Sequence, residues 1–316
     1  MLFRRFMLIL ALFGLCTGLA ACQAFPQVSI LVQGAAGTQP VTSTPFQAQS
    51  PTLPPTLTLT PSLVPTSTLI PSPTPLPCNT QAGKIEPQEV QFADSGGPFD
   101  FQVYTPPCFN QEASARYPVL YMIHGQTYND DQWGRLGVGA AADALINAHK
   151  APPFLIVMPE EENTYADIYA ESFGSDVTDR LVPWIDAHYP TCADRSCRAI
   201  GGLSRGGAWA LRLGFTHPAL FGAIGLHSTP PFNTDPGLFP IWVRDISADQ
   251  MPRVYMDIGR GDPFLSMASA FEAQLVHYNV PHEWYLFNGT HEEAYWSAHV
   301  AEYLEWYTQP WKNMAQ

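Results

Sequence analysis

Between Gln23 and Pro77 the chain has no charged side chain, and from Pro40 onward Pro, Thr and Ser dominate. Such a stretch buries too little apolar surface to offset its chain entropy, and its prolines favour extended polyproline conformations. A folded core is thereby excluded there, and a disordered, semi-extended spacer is predicted. Basic charge is scarce too: the segment from Cys78 to Gln316 carries 13 basic and 28 acidic residues, a net −15. A domain this acidic argues against nucleic acid or an anionic membrane surface as a partner. Paired Cys-x-x-Cys spacing is absent, which argues against a zinc site. The run His291-Glu292-Glu293-Ala294-Tyr295 lacks the second histidine of His-Glu-x-x-His, which removes a zinc protease. No metal or other cofactor is expected. The apolar run near the start, Phe6 to Leu15, is too short to span a membrane well.

That run is preceded by Arg4 and Arg5 and followed by Leu19-Ala20-Ala21-Cys22, which reads as the n-region, h-region and small-residue cleavage site of an exported chain. The ending resembles the lipobox of bacterial lipoproteins, in which the cysteine is lipid-modified and begins the mature protein. An ordinary secretory signal ending near a cysteine is the alternative. The lipobox reading implies a signal over residues 1–22, lipidation at Cys22, a spacer over 23–77, and a domain over 78–316 held in the cell envelope, outside the membrane or in the periplasm. Roughly 240 residues suit one α/β domain with a substantial core.

Of six cysteines, Cys16 leaves with the signal and Cys22 takes the lipid. Cys78, Cys108, Cys192 and Cys197 remain, an even number in an exported chain. Cys192 and Cys197 flank a short polar loop and are expected to pair; elimination then joins Cys78 to Cys108.

Two alternating runs, Val90 to Ala93 and Phe99 to Tyr104, flank Ser95-Gly96-Gly97-Pro98 and signal a hairpin. Nearly continuous apolar runs follow at Pro118 to Ile123, Phe154 to Met158, Phe221 to Leu226, Val254 to Ile258 and Glu283 to Phe287. Between them lie amphipathic stretches: Ala140 to His149, Val177 to His188, Ala208 to Phe215, Met267 to Tyr278 and Glu293 to Tyr307. Buried strands alternating with helices predict an α/β fold, a mostly parallel sheet with helices on both faces.

Gly202-Leu203-Ser204-Arg205-Gly206 has the Gly-x-Ser-x-Gly pattern of a nucleophile elbow, entered by an apolar pair and left by a helix-like run. In such a sheet functional groups collect past the carboxyl ends of the strands. Candidates there are His124-Gly125-Gln126, Ser204, His227-Ser228, Gly259-Arg260-Gly261-Asp262 and Asn288-Gly289-Thr290-His291. A serine, then an acid, then a histidine is the chain order of an α/β-hydrolase triad. Asp257 and Asp262 compete for the acid; Asp262 lies beyond its strand, where it can reach a histidine above the sheet, and Asp257 lies within it.

The runs Tyr117 to Gly125, Arg198 to Gly207, His217 to Gly222 and Gly289-Thr290-His291 to Trp296 resemble the putative esterase family of α/β-hydrolases, which includes esterase D, feruloyl and acetyl-xylan esterases, siderophore esterases and mycolyltransferases. The likeness runs from about Glu89 to Tyr307. It departs at Arg205, where the family more often has an uncharged residue, and between Ser228 and Pro252. The resemblance implies an α/β-hydrolase fold and acyl transfer, with Ser204 as nucleophile, His291 as base, Asp262 as its partner, and the backbone amides of Gln126 and Arg205 as oxyanion donors. Trp133, Trp209 and Trp296 could stack on an aromatic or sugar ring, and His227 could line the pocket; His124 is expected to shape the oxyanion turn, and His299 to be ordinary. The expected function is an exported, membrane-tethered serine carboxylic ester hydrolase acting on polysaccharide-linked or small extracellular esters. A mycolyl-type acyltransferase is the alternative within the enzyme class, and a non-catalytic carbohydrate-binding or envelope protein on the same fold the alternative outside it.

Overall fold

The computed structural model describes residues 81–92, 97–110 and 114–313. The expected signal, Cys22, the spacer and Cys78 lie outside the described residues. Eight strands form one sheet: β1 (Lys84–Gln91), β2 (Pro98–Thr105), β3 (Val119–Ile123), β4 (Leu155–Pro159), β5 (Arg198–Leu203), β6 (Ala223–His227), β7 (Arg253–Gly259) and β8 (His282–Phe287). Their order across the sheet is β1-β2-β4-β3-β5-β6-β7-β8. The expected hairpin is present as β1 and β2, antiparallel to each other, and β2 also runs antiparallel to β4; every other neighbour is parallel.

The helices are α1 (Gln132–Arg135), α2 (Val138–Asn147), α3 (Phe173–Ser175), α4 (Val182–His188), α5 (Arg205–Thr216), α6 (Asp235–Asp245), α7 (Leu265–His277) and α8 (Glu293–Thr308). Side chains alternate across a strand, so β3 feeds both faces. Val119, Tyr121 and Ile123 pack with residues of α4, α5, α6 and α7, whereas Leu120 and Met122 pack with residues of α1, α2 and α8. Both faces are therefore covered, and the buried strands read as unbroken apolar runs for that reason. The stretch expected as one helix from Val177 to His188 begins one residue earlier as a π-helical turn, Asp176–Leu181, before α4.

Cys192 and Cys197 form the expected disulfide, just before β5. Trp311 Nε1 donates to the Ser196 carbonyl at 2.9 Å and ties the end of the chain to that loop. Cys108 is disulfide-bonded as well.

Under the site lies a buried polar knot on β6, β7 and α8. His227 and Asp257 are register partners on β6 and β7. His227 Nδ1–H donates to Asp257 Oδ1 at 2.7 Å, and the Tyr295 and Tyr303 hydroxyls donate to Oδ2 at 2.6 and 2.8 Å. A buried carboxylate is tolerated only when its lone pairs are met, and here three side chains meet them. Its donors are side chains of β6 and α8. Removing one donor to a buried ionised acceptor costs about 1.5–3 kcal/mol. Tyr303→Phe is therefore expected to lower the unfolding free energy by about that amount, read as a lower urea midpoint at an unchanged m-value. An unchanged midpoint would show that the knot adds no stability.

Candidate active site

The strand order reverses at β3: β4 lies on one side of it and β5 on the other. A crevice opens past the carboxyl ends of the strands at such a switch point. The chain leaving β3 supplies His124, Gly125 and Gln126, and the chain leaving β5 supplies Ser204.

Ser204 sits between β5 and α5 at φ 53°, ψ −119°, in a region of backbone space that L-residues rarely occupy. The flanking glycines make room for that turn. A Cβ on Gly202 would come within 2.3 Å of the Gly206 backbone, and one on Gly206 within 2.2 Å of the Ile123 carbonyl oxygen. The Ser204 amide donates to the His227 carbonyl at 2.9 Å, which ties the elbow to β6.

The loops after β7 and β8 bring the acid and the histidine together. Gly261 N–H donates to the Gly289 carbonyl at 2.9 Å, and Gly259 approaches Gly289 so closely that a Cβ would lie 2.4 Å from its oxygen. Gly289 itself has φ 146° and packs under the Tyr295 ring. Across this junction His291 Nδ1–H donates to Asp262 Oδ2 at 2.8 Å, and the Ser204 hydroxyl donates to His291 Nε2 at 2.8 Å. The second oxygen of Asp262 accepts from Phe264 N–H at 2.8 Å. Edges of Phe264 and Trp296 wall the imidazole, with ring centroids 4.9 and 5.0 Å away. Asp257 takes no part in this chain.

Gln126 lies three residues past β3, and Arg205 directly follows the serine. Arg205 opens α5, where an N–H has no partner within the helix. His124 Nδ1–H donates to the Gly125 carbonyl at 2.8 Å, and its Nε2 accepts from Glu161 N–H at 2.9 Å. Burial lowers the pKa of His124 from its ordinary value, which suits a ring whose Nε2 must keep its lone pair.

Burial corrects four expected substrate contacts. Trp133 is fully enclosed and donates from Nε1 to the Ile123 carbonyl at 3.0 Å. His227 lines no pocket, because its ring is shut between Asp257 and the Tyr307 hydroxyl and stacked on Tyr303. Trp296 is 3% exposed and packs on His291. Trp209 is buried as well, against Phe173 and Phe232.

Reading the sequence missed two carboxylates. Glu161, two residues past β4, and Glu171 both hold the Arg205 guanidinium. Glu160-Glu161-Glu162 reads as a solvated charge run; the signal was its place at a strand's carboxyl end together with an arginine where an uncharged residue is usual. Burial, and then the charge of Glu161, push the Glu171 carboxyl up to about 8.

The sequence matches the family described as "Putative esterase" over residues 93–307. The chain belongs to this family. One curated relative, an "Endo-1,4-beta-xylanase/feruloyl esterase" of Xylanibacter ruminicola, is 37% identical over 120 residues, 36% of this chain and 16% of its own length. An "Iron(III) salmochelin esterase" of Escherichia coli is 28% identical over 197 residues, 56% of this chain and 47% of its own. The chain thus spans less than half of these relatives. A solved ferulic acid esterase superposes with a TM-score of 0.65 at 23% identity, covering 72% of this chain and 98% of its own, a likeness of α/β-hydrolase fold.

A carboxyl whose pKa is raised on folding holds a proton that the unfolded chain has lost, so stability falls as pH rises between the two values. For Glu171 that window runs from the ordinary glutamate value of 4.5 to about 8. Glu171→Gln should therefore flatten the decline of Tm between pH 5 and pH 8.5. Parallel Tm profiles for the variant and the wild type would contradict the raised pKa.

Proposed function

We propose that the chain is an exported, lipid-anchored serine carboxylic ester hydrolase that works through an acyl-enzyme. The observation that carries this reading is the unbroken hydrogen-bond chain from Ser204 Oγ through His291 to Asp262, set on a serine at positive φ. A serine hydroxyl is a weak nucleophile and needs a base in reach. In this reading His291 Nε2 takes the hydroxyl proton as Oγ attacks the ester carbonyl, and Asp262 holds the tautomer and stabilises the imidazolium. The amides of Gln126 and Arg205 donate to the oxyanion; loss of one such donor costs roughly 3 kcal/mol. Collapse expels the alcohol, which takes its proton from His291. A water molecule deprotonated by His291 then attacks the acyl-serine, and collapse breaks the bond to Ser204 Oγ, which takes the proton back from His291 as the acid leaves.

The substrates are polysaccharide-linked or small extracellular esters. This is supported by membership of the esterase family and by relatives named as feruloyl and salmochelin esterases. Export and anchoring rest on Leu19-Ala20-Ala21-Cys22. Among the described residues no helix is long and apolar enough to cross a membrane. Pairing of Cys78 with Cys108 belongs to the same reading and fits the disulfide at Cys108.

A serine-directed fluorophosphonate should label Ser204, and Ser204→Ala should abolish hydrolysis across a panel of acetyl, butyryl and feruloyl esters. Asp262→Asn should lower kcat by roughly 10⁴ with the fold intact, since the amide favours the wrong tautomer. Normal turnover by the alanine variant would sink the mechanism.

The anchor is tested separately. Wild-type protein should sediment with membranes, and Cys22→Ser should release it or block its processing. Wild-type protein found freely soluble and unlipidated in its own host would remove the lipid from the proposal.

A further inference from the structure

Arg205 places a full positive charge on the residue that follows the nucleophile. Left alone, its long flexible side chain would be free to swing across the site. That freedom is not left to it. Glu161 accepts from Arg205 Nε–H at 2.8 and 2.9 Å through its two oxygens and also accepts from Nη2. The Glu161 side chain is fully buried and that of Arg205 is 13% exposed, so the pair is fixed in a place where solvent barely screens it.

The same residue reaches the opposite wall of the site. Its backbone N–H donates to His124 Nε2, and His124 Nδ1–H in turn donates to the Gly125 carbonyl. That carbonyl belongs to the peptide unit whose nitrogen is the Gln126 amide. In a trans peptide the C=O and N–H point in opposite directions, so pinning the oxygen aims the Gln126 N–H away from His124. Two further bonds brace this loop from the segment after Glu161: Gln126 Nε2–H donates to the Thr164 carbonyl at 3.1 Å, and Thr127 N–H to Thr164 Oγ1 at 3.3 Å.

From this double connection we infer that Glu161 is a positioning residue for the oxyanion hole, joining the residue that carries one donor amide to the peptide that carries the other. The inference rests on the esterase reading above and deepens it. Glu161 touches no reacting atom; it acts through Arg205 and His124. Glu171 accepts from the same Arg205 Nη2, at 2.9 Å, and cannot replace the link to His124.

The test uses the full-length chain, with active sites counted by fluorophosphonate titrated to completion. Glu161→Gln keeps the size and the backbone N–H but removes the charge that fixes Arg205. Its kcat on p-nitrophenyl acetate should fall at least tenfold with KM within twofold. Its affinity for phenylboronic acid, which forms a tetrahedral anion on a serine, should weaken by a similar factor, because an oxyanion hole favours the transition state over the ground state. Arg205→Met combined with Glu161→Gln removes both charges together, so no ion is left buried without a partner. The double variant should show the same loss as Glu161→Gln and no more, since the two residues act as one unit. If Glu161→Gln does not fold, the double variant is read by itself, and wild-type kcat in it overturns the inference. So does a folded Glu161→Gln that lowers Tm while kcat per titrated site and boronate affinity stay at the wild-type values. Absence of ester hydrolysis in the wild type overturns the esterase reading and this inference together; an active wild type with an unchanged Glu161→Gln overturns this inference alone.

Discussion

The candidate site depends on a steric constraint at one turn. For Ser204 to stand clear of the sheet at φ 53°, β5 must pass into α5 without a loop, and its neighbours must come within contact distance of the turn. Only hydrogen fits at 202 and 206, where any larger group would meet backbone atoms that cannot give way. Once that turn is made, the other positions follow from it. The first amide of α5 has no helical partner, while the Ser204 amide is held to β6. The remaining groups come to this fixed point on loops that are bonded to each other more than to the elbow.

That division of labour shows in the two loops that carry Asp262 and His291. Backbone ties them together, glycine to glycine and Arg260 N–H to the Phe287 carbonyl, so the separation of acid and base is set before either side chain is placed. Beneath them Tyr295 joins the packing under Gly289 to the Asp257 carboxylate. The polar knot thus supports the histidine loop from below, and the same β6 residue, His227, serves the knot with its ring and the elbow with its carbonyl.

Much of this was legible in the sequence, for a physical reason. Strands buried on both faces appear as unbroken apolar runs, and the glycine-flanked serine could be recognised because the constraint acts on neighbours in sequence. Asp262 was separable from Asp257 because β7 ends at Gly259, three residues short of it. What could not be read depended on partners far along the chain. Trp133, Trp296 and His227 have the chemistry of ligand contacts, and only tertiary packing decides that they face inward. The helix α6 was unreadable because Pro240 falls inside it and opposes helical propensity; Phe239 on Phe215 and Phe271 and the Arg212–Asp235 ion pair hold it in place. Glu161 looked solvated because the arginine that buries with it lies 44 residues away.

The hairpin strand β1 closes one side of the sheet, and among the described residues no strand pairs with its outer edge. Lys84, Glu86 and Glu89 stand exposed along it, and Pro87 removes a backbone donor from its middle. Charges and proline on an edge resist the addition of a further strand. The consequence is colloidal: copies of this domain crowded together meet, at β1, an edge that resists pairing.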